Sequence, residues 1–130
     1  MTYDVDGFMI GYTGGKSPCY AGGFTVVDEN NVLVVRHVFR TYPKRWTNND
    51  GELWAVAAGI HQAAPGDIVR SDSEVVVKWW LPRGLCKSRP DLDNLCKTAY
   101  DERRVKDIDV IWVPRKENLA GIYNEQNRLT

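Results

Sequence analysis

The stretch from Thr47 to Ser73, TNNDGELWAVAAGIHQAAPGDIVRSDS, carries more of the architecture than any other part of the chain. Thr47, Asn48, Asn49 and Asp50 are residue types whose short polar side chains satisfy the free N–H groups at a helix start. From Glu52 to Ala63, the apolar Leu53, Val56, Ala57 and Ile60 recur on one helical face. Pro65-Gly66 stops that helix. Asp67 to Ser71, with Ile68 and Val69 inside it, reads as a short strand, and Ser73 to Leu81 as a short helix. One acid, Glu52, therefore opens a helix, and another, Asp72, stands where a strand turns into a helix.

Working outward, Tyr3 to Ile10 alternates as a first strand. A Gly-rich loop, Gly11 to Cys19, leads to a second strand at Tyr20 to Val27. Asp28-Glu29-Asn30-Asn31 is a tight polar turn, and Val32 to Phe39 is a third strand. Three strands joined this way form an antiparallel meander. Downstream, Pro82-Arg83-Gly84 ends the short helix. Pro90 suits the first position of another helix, reaching Arg104. Val105 to Val113 alternates as a fifth strand, and a last helix runs from Asn118 to the end. The order β-β-β-α-β-α-α-β-α predicts an α/β fold: a five-stranded mixed sheet with helices on both faces, in a single domain over residues 1–130.

Composition narrows the function classes. Hydrophobic residues make up 43% and charged residues 26%, enough for one packed core. Lys+Arg and Asp+Glu are both 17, so bulk positive charge cannot drive binding to nucleic acid, and any such site must come from local clustering. Cys19, Cys86 and Cys96 are odd in number and lack CxxC spacing. That speaks against a disulfide scaffold or a structural zinc site and for reduced thiols in a cytoplasmic protein. The start, MTYDVDGFMIGY, carries acids where a secretory leader carries positive charge. No apolar run approaches about 18 residues, so no membrane partner is expected. Gly14-Gly15-Lys16-Ser17 ends like a phosphate-binding loop, but the motif's first Gly falls on Ile10, and Pro18 and a strand follow. A nucleotide loop is rejected.

The acids carry the chemistry. Asp6 lies in the first strand, with Asp4 on the same face. An acid buried there needs an ionic partner or a cation. In a sheet of this order the first and fourth strands are neighbours, so Asp6 and Asp72 meet at one edge and Glu52 drops in from the helix. Clustered carboxylates repel unless a hard cation neutralises them. Mg²⁺ takes such oxygen ligands and keeps waters for chemistry. Two ions in such a cluster can activate a water and stabilise the leaving oxygen of a phosphodiester. Taken singly, each acid reads more readily as a helix cap, a turn residue or a solvated charge; taken together, the three balance that reading against a metal site.

At this point the residues resemble the type 1 ribonuclease H family. Thr47-Asn48-Asn49-Asp50-Gly51-Glu52-Leu53 is similar to its TNNxxEL signature, Ser71-Asp72-Ser73 to its (T/S)DS, and Val5-Asp6-Gly7 to its (T/V)DG. Ala21-Gly22-Gly23-Phe24 resembles the start of its second strand, and Trp112 to Asn118 its WVPRxEN segment. The resemblance implies a ribonuclease H-like fold with strand order 3-2-1-4-5. It implies an endonuclease that hydrolyses the RNA strand of RNA–DNA hybrids by two-metal-ion catalysis with Mg²⁺ (or Mn²⁺), leaving 5′-phosphate and 3′-hydroxyl ends. Asp6, Glu52 and Asp72 would be catalytic metal ligands. Asn49, assisted by Asn48, would read the minor groove and a 2′-hydroxyl of the hybrid. Thr47 and Arg45 would hold a phosphate of the DNA strand, and the backbone near Gly7 and Phe8 would follow the RNA strand. Glu74 stands where many members place a Gln that touches the hybrid.

The pattern also breaks. The family's fourth acid, four residues after the Asn of the last motif, falls on Ile122. Asn118 and Asn124 are the nearest neutral oxygen donors, with Glu117 and Glu125 beside them. Asn118 reads either as the fourth catalytic ligand, a neutral oxygen on Mg²⁺, or as a plain N-cap. The Pro114–Glu117 loop lacks the family's His, leaving Arg115 or Lys116 for phosphate. Between Trp79 and Arg104, Lys78, Arg83, Lys87, Arg89 and Lys97 lie near Trp79 and Trp80, a pairing that suits nucleic acid or, for the Trp pair, the core. His37 and His61 receive no role. The expected protein is thus a cytoplasmic, monomeric hybrid-cleaving enzyme. The alternative is a weak or inactive module that binds a hybrid or double-stranded RNA, which Ile122 favours. A junction-resolvase-like nuclease on the same fold is disfavoured by TNNxxEL.

Overall fold

The computed structural model describes residues 1–11, 20–86 and 89–128, so most of the Gly-rich stretch, with Cys19 and the Gly14–Ser17 motif, and Lys87 lie outside the described residues. Strands β1 (Thr2–Met9), β2 (Gly22–Asp28) and β3 (Leu33–Phe39) form the meander. The β2–β3 turn closes because Asp28 Oδ1 accepts the N–H groups of Asn30 (2.9 Å) and Val32 (3.0 Å), and Asn31 adopts φ 62°, a left-handed conformation that Asn tolerates. Strands β4 (Ile68–Ser71) and β5 (Asp109–Trp112) add in parallel, giving the sheet order β3-β2-β1-β4-β5. This is the expected mixed sheet.

Helix α1 (Asn48–Gln62) starts at Asn48 rather than Glu52. Thr47 is its N-cap, in a reciprocal capping box with Asp50, so the whole polar run belongs to the cap and first turn. Leu53, Val56 and Ile60 are fully buried against Val5, Val26 and Val69 of the sheet. Strand alternation puts Val5 on the α1 face and Asp4 and Asp6 on the opposite one, where α4 (Leu119–Gln126) packs across β1 and β2. Helices thus cover both faces.

Three local expectations change. Ser73–Leu81 is not a regular helix but a π-helical segment, Val75–Trp80, running into α2 (Leu81–Arg83) and closed by Gly84 at φ 69°. Neighbours on a helix point apart, so Trp80 is buried and Trp79 is 55% exposed; the Trp pair is divided between core and surface. The helix after Pro90 opens with a 3-10 turn, Pro90–Leu92, before α3 (Asp93–Lys106). It runs past Arg104 until Asp107 takes φ 54°, which shortens β5 and leaves Val105 exposed on a helix. Cys86 and Cys96 are buried free thiols. Among the described residues, no helix is long and apolar enough to cross a membrane.

Candidate active site

The parallel pairing of β1 and β4 sets Val5 opposite Ser71, so Asp6 and Asp72 emerge side by side from neighbouring strands. Glu52, in the first turns of α1, joins them because helix and strand backbones touch at Gly7 and Gly51. The Gly7 N–H donates to Glu52 Oε1 at 3.3 Å. One oxygen of each of the three acids lies within 4.8 Å of the others.

The cluster is electrostatically unsatisfied. Glu52 Oε2 and Asp72 Oδ2 are buried without a hydrogen-bond partner, a costly state for an acid. Burial, then the charges of Asp6 and Asp72, holds the Glu52 carboxyl well above its usual range. Burial, then the charge of Asp6, pushes Asp72 up to about 6, with Arg115 pulling against it. Burial also raises Asp6, opposed chiefly by a hydrogen bond from Asn124. All the donors are hard oxygens, and two of them are orphaned. That set fits Mg²⁺ or Mn²⁺ and does not suit a soft metal.

Asp4, on the same face as Asp6, is spent elsewhere: Arg70 pairs with it at 2.7 Å and the Leu119 N–H donates to it at 2.8 Å. Asn118 corrects an expectation. Its Oδ1 accepts from the N–H groups of Ala120 (3.0 Å) and Gly121 (3.3 Å), capping α4, and its Nδ2 donates to the Val5 carbonyl at 2.9 Å. The oxygen that was to ligate a metal is committed to the helix start, which is the N-cap reading. The Asn118 amide lies close enough to Asp72 to draw that carboxyl down. Asn124 reaches Asp6 directly, with Nδ2 2.9 Å from Asp6 Oδ2.

The acids line a cleft of about 890 Å³ that also takes in Gly7, Asn48, Asn49, Glu74 and Arg115. Glu74 is paired with Lys78 at 3.8 Å and Arg115 with Glu125 at 3.5 Å, both at exposed positions. Arg45 and Thr47 are not in this cleft. They line a second one of about 300 Å³ with Lys44, Arg89 and Asp91. Trp112 Nε1 donates to the Asp72 carbonyl at 3.0 Å and steadies the backbone under that acid, while Lys78 lies 5.1 Å from the Trp112 ring centroid. His37 stacks on Phe24 and His61 pairs with Glu102, away from the acids. Sequence reasoning missed Thr25, which bonds to Asn124. The available signal was a lone hydroxyl in the otherwise apolar Gly22–Val27 run, on the strand facing Asp6.

No family model and no curated protein matches the sequence. Solved structures do match its fold. A ribonuclease H1 from the halophilic archaeon Halobacterium salinarum NRC-1 is 25% identical, with 92% of this chain and 89% of that one aligned at a TM-score of 0.61. The N-terminal ribonuclease H domain of a Mycobacterium tuberculosis protein, at 24% identity, aligns over 92% and 90% with a TM-score of 0.63. A ribonuclease H1 solved in complex with an RNA/DNA hybrid, at 21%, aligns over 90% and 87% with a TM-score of 0.57.

Proposed function

We propose that this chain, a member of the ribonuclease H-like family by fold and by its solved likenesses, is an endonuclease that hydrolyses the RNA strand of RNA–DNA hybrids. The observation that carries the reading is the convergence of Asp6, Glu52 and Asp72 from three separate elements, with two buried oxygens left unpartnered. These three acids would hold two Mg²⁺ or Mn²⁺ ions. When bound, divalent ions supply charge neutralisation and a water of lowered pKa for in-line attack on the phosphodiester, with 5′-phosphate and 3′-hydroxyl ends.

The chain's own residues do the rest. Gly7 N–H fixes one oxygen of Glu52, so the acid meets substrate already oriented. Arg115, in the same cleft, offers positive charge to the phosphate near the acids. Asn48 and Asn49 present amides to the minor groove of the hybrid, where a 2′-hydroxyl separates RNA from DNA. Arg45, in the second cleft, grips a phosphate of the DNA strand, whereas Thr47, expected to share that role, gives both its N–H and its hydroxyl proton to Asp50. Glu74 lines the main cleft as an acid and contributes little grip. The protein acts as a cytoplasmic monomer.

A second reading, a hybrid-binding module without chemistry, is favoured by Ile122, which is 41% exposed and offers no ligand atom. Cleavage of an end-labelled hybrid with Mg²⁺ and then Mn²⁺, for the wild type and Asp72→Asn, separates the two. We expect metal-dependent cleavage that the substitution abolishes. Retained hybrid binding with no cleavage in either metal would establish the second reading.

A further inference from the structure

One row of cross-strand neighbours leads into the acid cluster. In the sheet register Arg36 of β3 faces Thr25 of β2, and Thr25 faces Asp6 of β1. Arg36 Nε donates to Thr25 Oγ1 at 3.3 Å, the Thr25 hydroxyl donates to Asn124 Oδ1 at 2.5 Å, and Asn124 Nδ2 donates to Asp6 Oδ2 at 2.9 Å. The same amide nitrogen also reaches the Asp6 carbonyl at 3.4 Å.

The directions of these bonds follow from chemistry. A guanidinium only donates and an ionised carboxylate only accepts. Thr25 takes its hydrogen bond from Arg36 and gives one to the Asn124 oxygen. The amide nitrogen is thereby turned toward Asp6, and the reverse orientation would set the amide oxygen against the carboxylate. The row is held firmly. Thr25 is fully buried, and Asn124 is buried beside it. Arg36 lies 4.6 Å from the Phe8 ring centroid and 5.5 Å from that of Tyr123, and its Nη2 donates to the Asn127 carbonyl at 3.1 Å.

We propose that Arg36, Thr25 and Asn124 are positioning residues that act through Asp6: they hold its Oδ2 on an amide donor and so fix the carboxylate with its other oxygen turned to a metal, so that Asn124 orients a ligand and is not one itself. This rests on the metal-site reading above. With Ile122 at the position of the family's fourth acid, Asn124, two residues on, then serves Asp6 as a neutral hydrogen-bond donor.

The test is a Mn²⁺ titration, with free Mn²⁺ followed by its paramagnetic resonance signal, on the wild type, Thr25→Val, Thr25→Ser and Arg36→Gln. Circular dichroism checks that each is folded. Thr25→Val keeps the side-chain shape and deletes the donor. We expect it to weaken Mn²⁺ binding up to roughly tenfold, the lower end of what losing a hydrogen bond to a metal ligand costs, because the bond deleted is one step removed from Asp6. Thr25→Ser restores the hydroxyl and should bind nearly as the wild type does, a rescue that packing alone would not produce. Arg36→Gln should show a smaller loss in the same direction, and it carries the test if Thr25→Val does not fold. Folded variants that bind Mn²⁺ as tightly as the wild type would overturn the positioning role and leave the metal site standing. A wild type that binds no Mn²⁺ would overturn both.

Discussion

Gly7 meets Gly51 backbone to backbone: a methyl group on Gly7 would lie 2.2 Å from the Gly51 carbonyl carbon and 2.6 Å from the Glu52 nitrogen. This contact is what lets α1 deliver Glu52 to a strand acid. The obstruction is main chain on both sides, so no flexible side chain can yield. Gly7→Ala should therefore push α1 away from β1, costing about 3 kcal/mol, the upper end of ordinary overpacking. Urea denaturation checks this. Gly51→Ala, whose methyl group would sit 3.1 Å from Gly7 Cα, should cost less. Equal losses would mean that the helix can slide along the strand.

Glu52 is expected to trade stability for function. Its Oε1 has the Gly7 N–H, but its Oε2 has no partner and two acids press on it. Glu52→Gln keeps the Gly7 bond and removes the repulsion. With EDTA present at pH 7, the variant should be more stable than the wild type by about 0.5–2 kcal/mol, the range typical of relieved functional strain. Thermal melts with and without Mn²⁺ check the exchange: the wild type gains stability from the metal and the variant does not.

What was legible followed from local rules. Glu52 and Asp72 stood out because each sits where one periodicity gives way to another; the mixed sheet follows from the meander and the crossover helices, and its strand order came with the family resemblance. Side-chain direction was not legible. Whether Asn118 points its oxygen at a metal or at its own helix depends on where α4 begins, and a cap residue begins the helix by spending that oxygen. Trp79 and Trp80 look alike in sequence and part company because a helix turns between them. Asn124 meets Asp6, and Arg89 meets Asp50, only through tertiary placement, which no spacing rule encodes.

The Arg89–Asp50 pair joins stability to binding. Asp50 is fully buried and Arg89 approaches it at 2.6 Å while also lining the second cleft. Hydrogen bonds that Arg89 donates to Asp91 and Asp50 hold its guanidinium above its usual pKa. Arg89→Met would leave a buried carboxylate with only its Thr47 contacts. The expected cost is about 3 kcal/mol, the lower end for breaking a buried pair. If the second cleft grips a phosphate, the logarithmic salt dependence of hybrid binding should also become shallower by about one unit. An unchanged slope with lowered stability would confine Arg89 to a structural role.

The acid cluster should invert the usual pH dependence of a carboxylate. Asp72 has an ordinary value of 3.8 and is pushed up to about 6 in the folded chain, by burial first and the Asp6 charge second. Between those values the native state holds a proton that the unfolded chain has lost. Its contribution to stability is therefore present at low pH and declines as pH rises toward 6 in metal-free protein. The upward shifts of Glu52 and Asp6 act in the same sense. Asp91, lowered chiefly by its hydrogen bond from Arg89, and Asp67, lowered chiefly by the Ala64 N–H, act in the opposite one. The difference between wild type and Asp72→Asn isolates the site. In EDTA, that difference in melting temperature should widen in favour of Asp72→Asn as pH climbs from 4.5 to 7. Mn²⁺ must displace these protons to bind, so its stabilisation of the wild type should be slight at pH 5 and large at pH 8. Parallel curves for the two proteins in EDTA would show that Asp72 is not held protonated by the cluster.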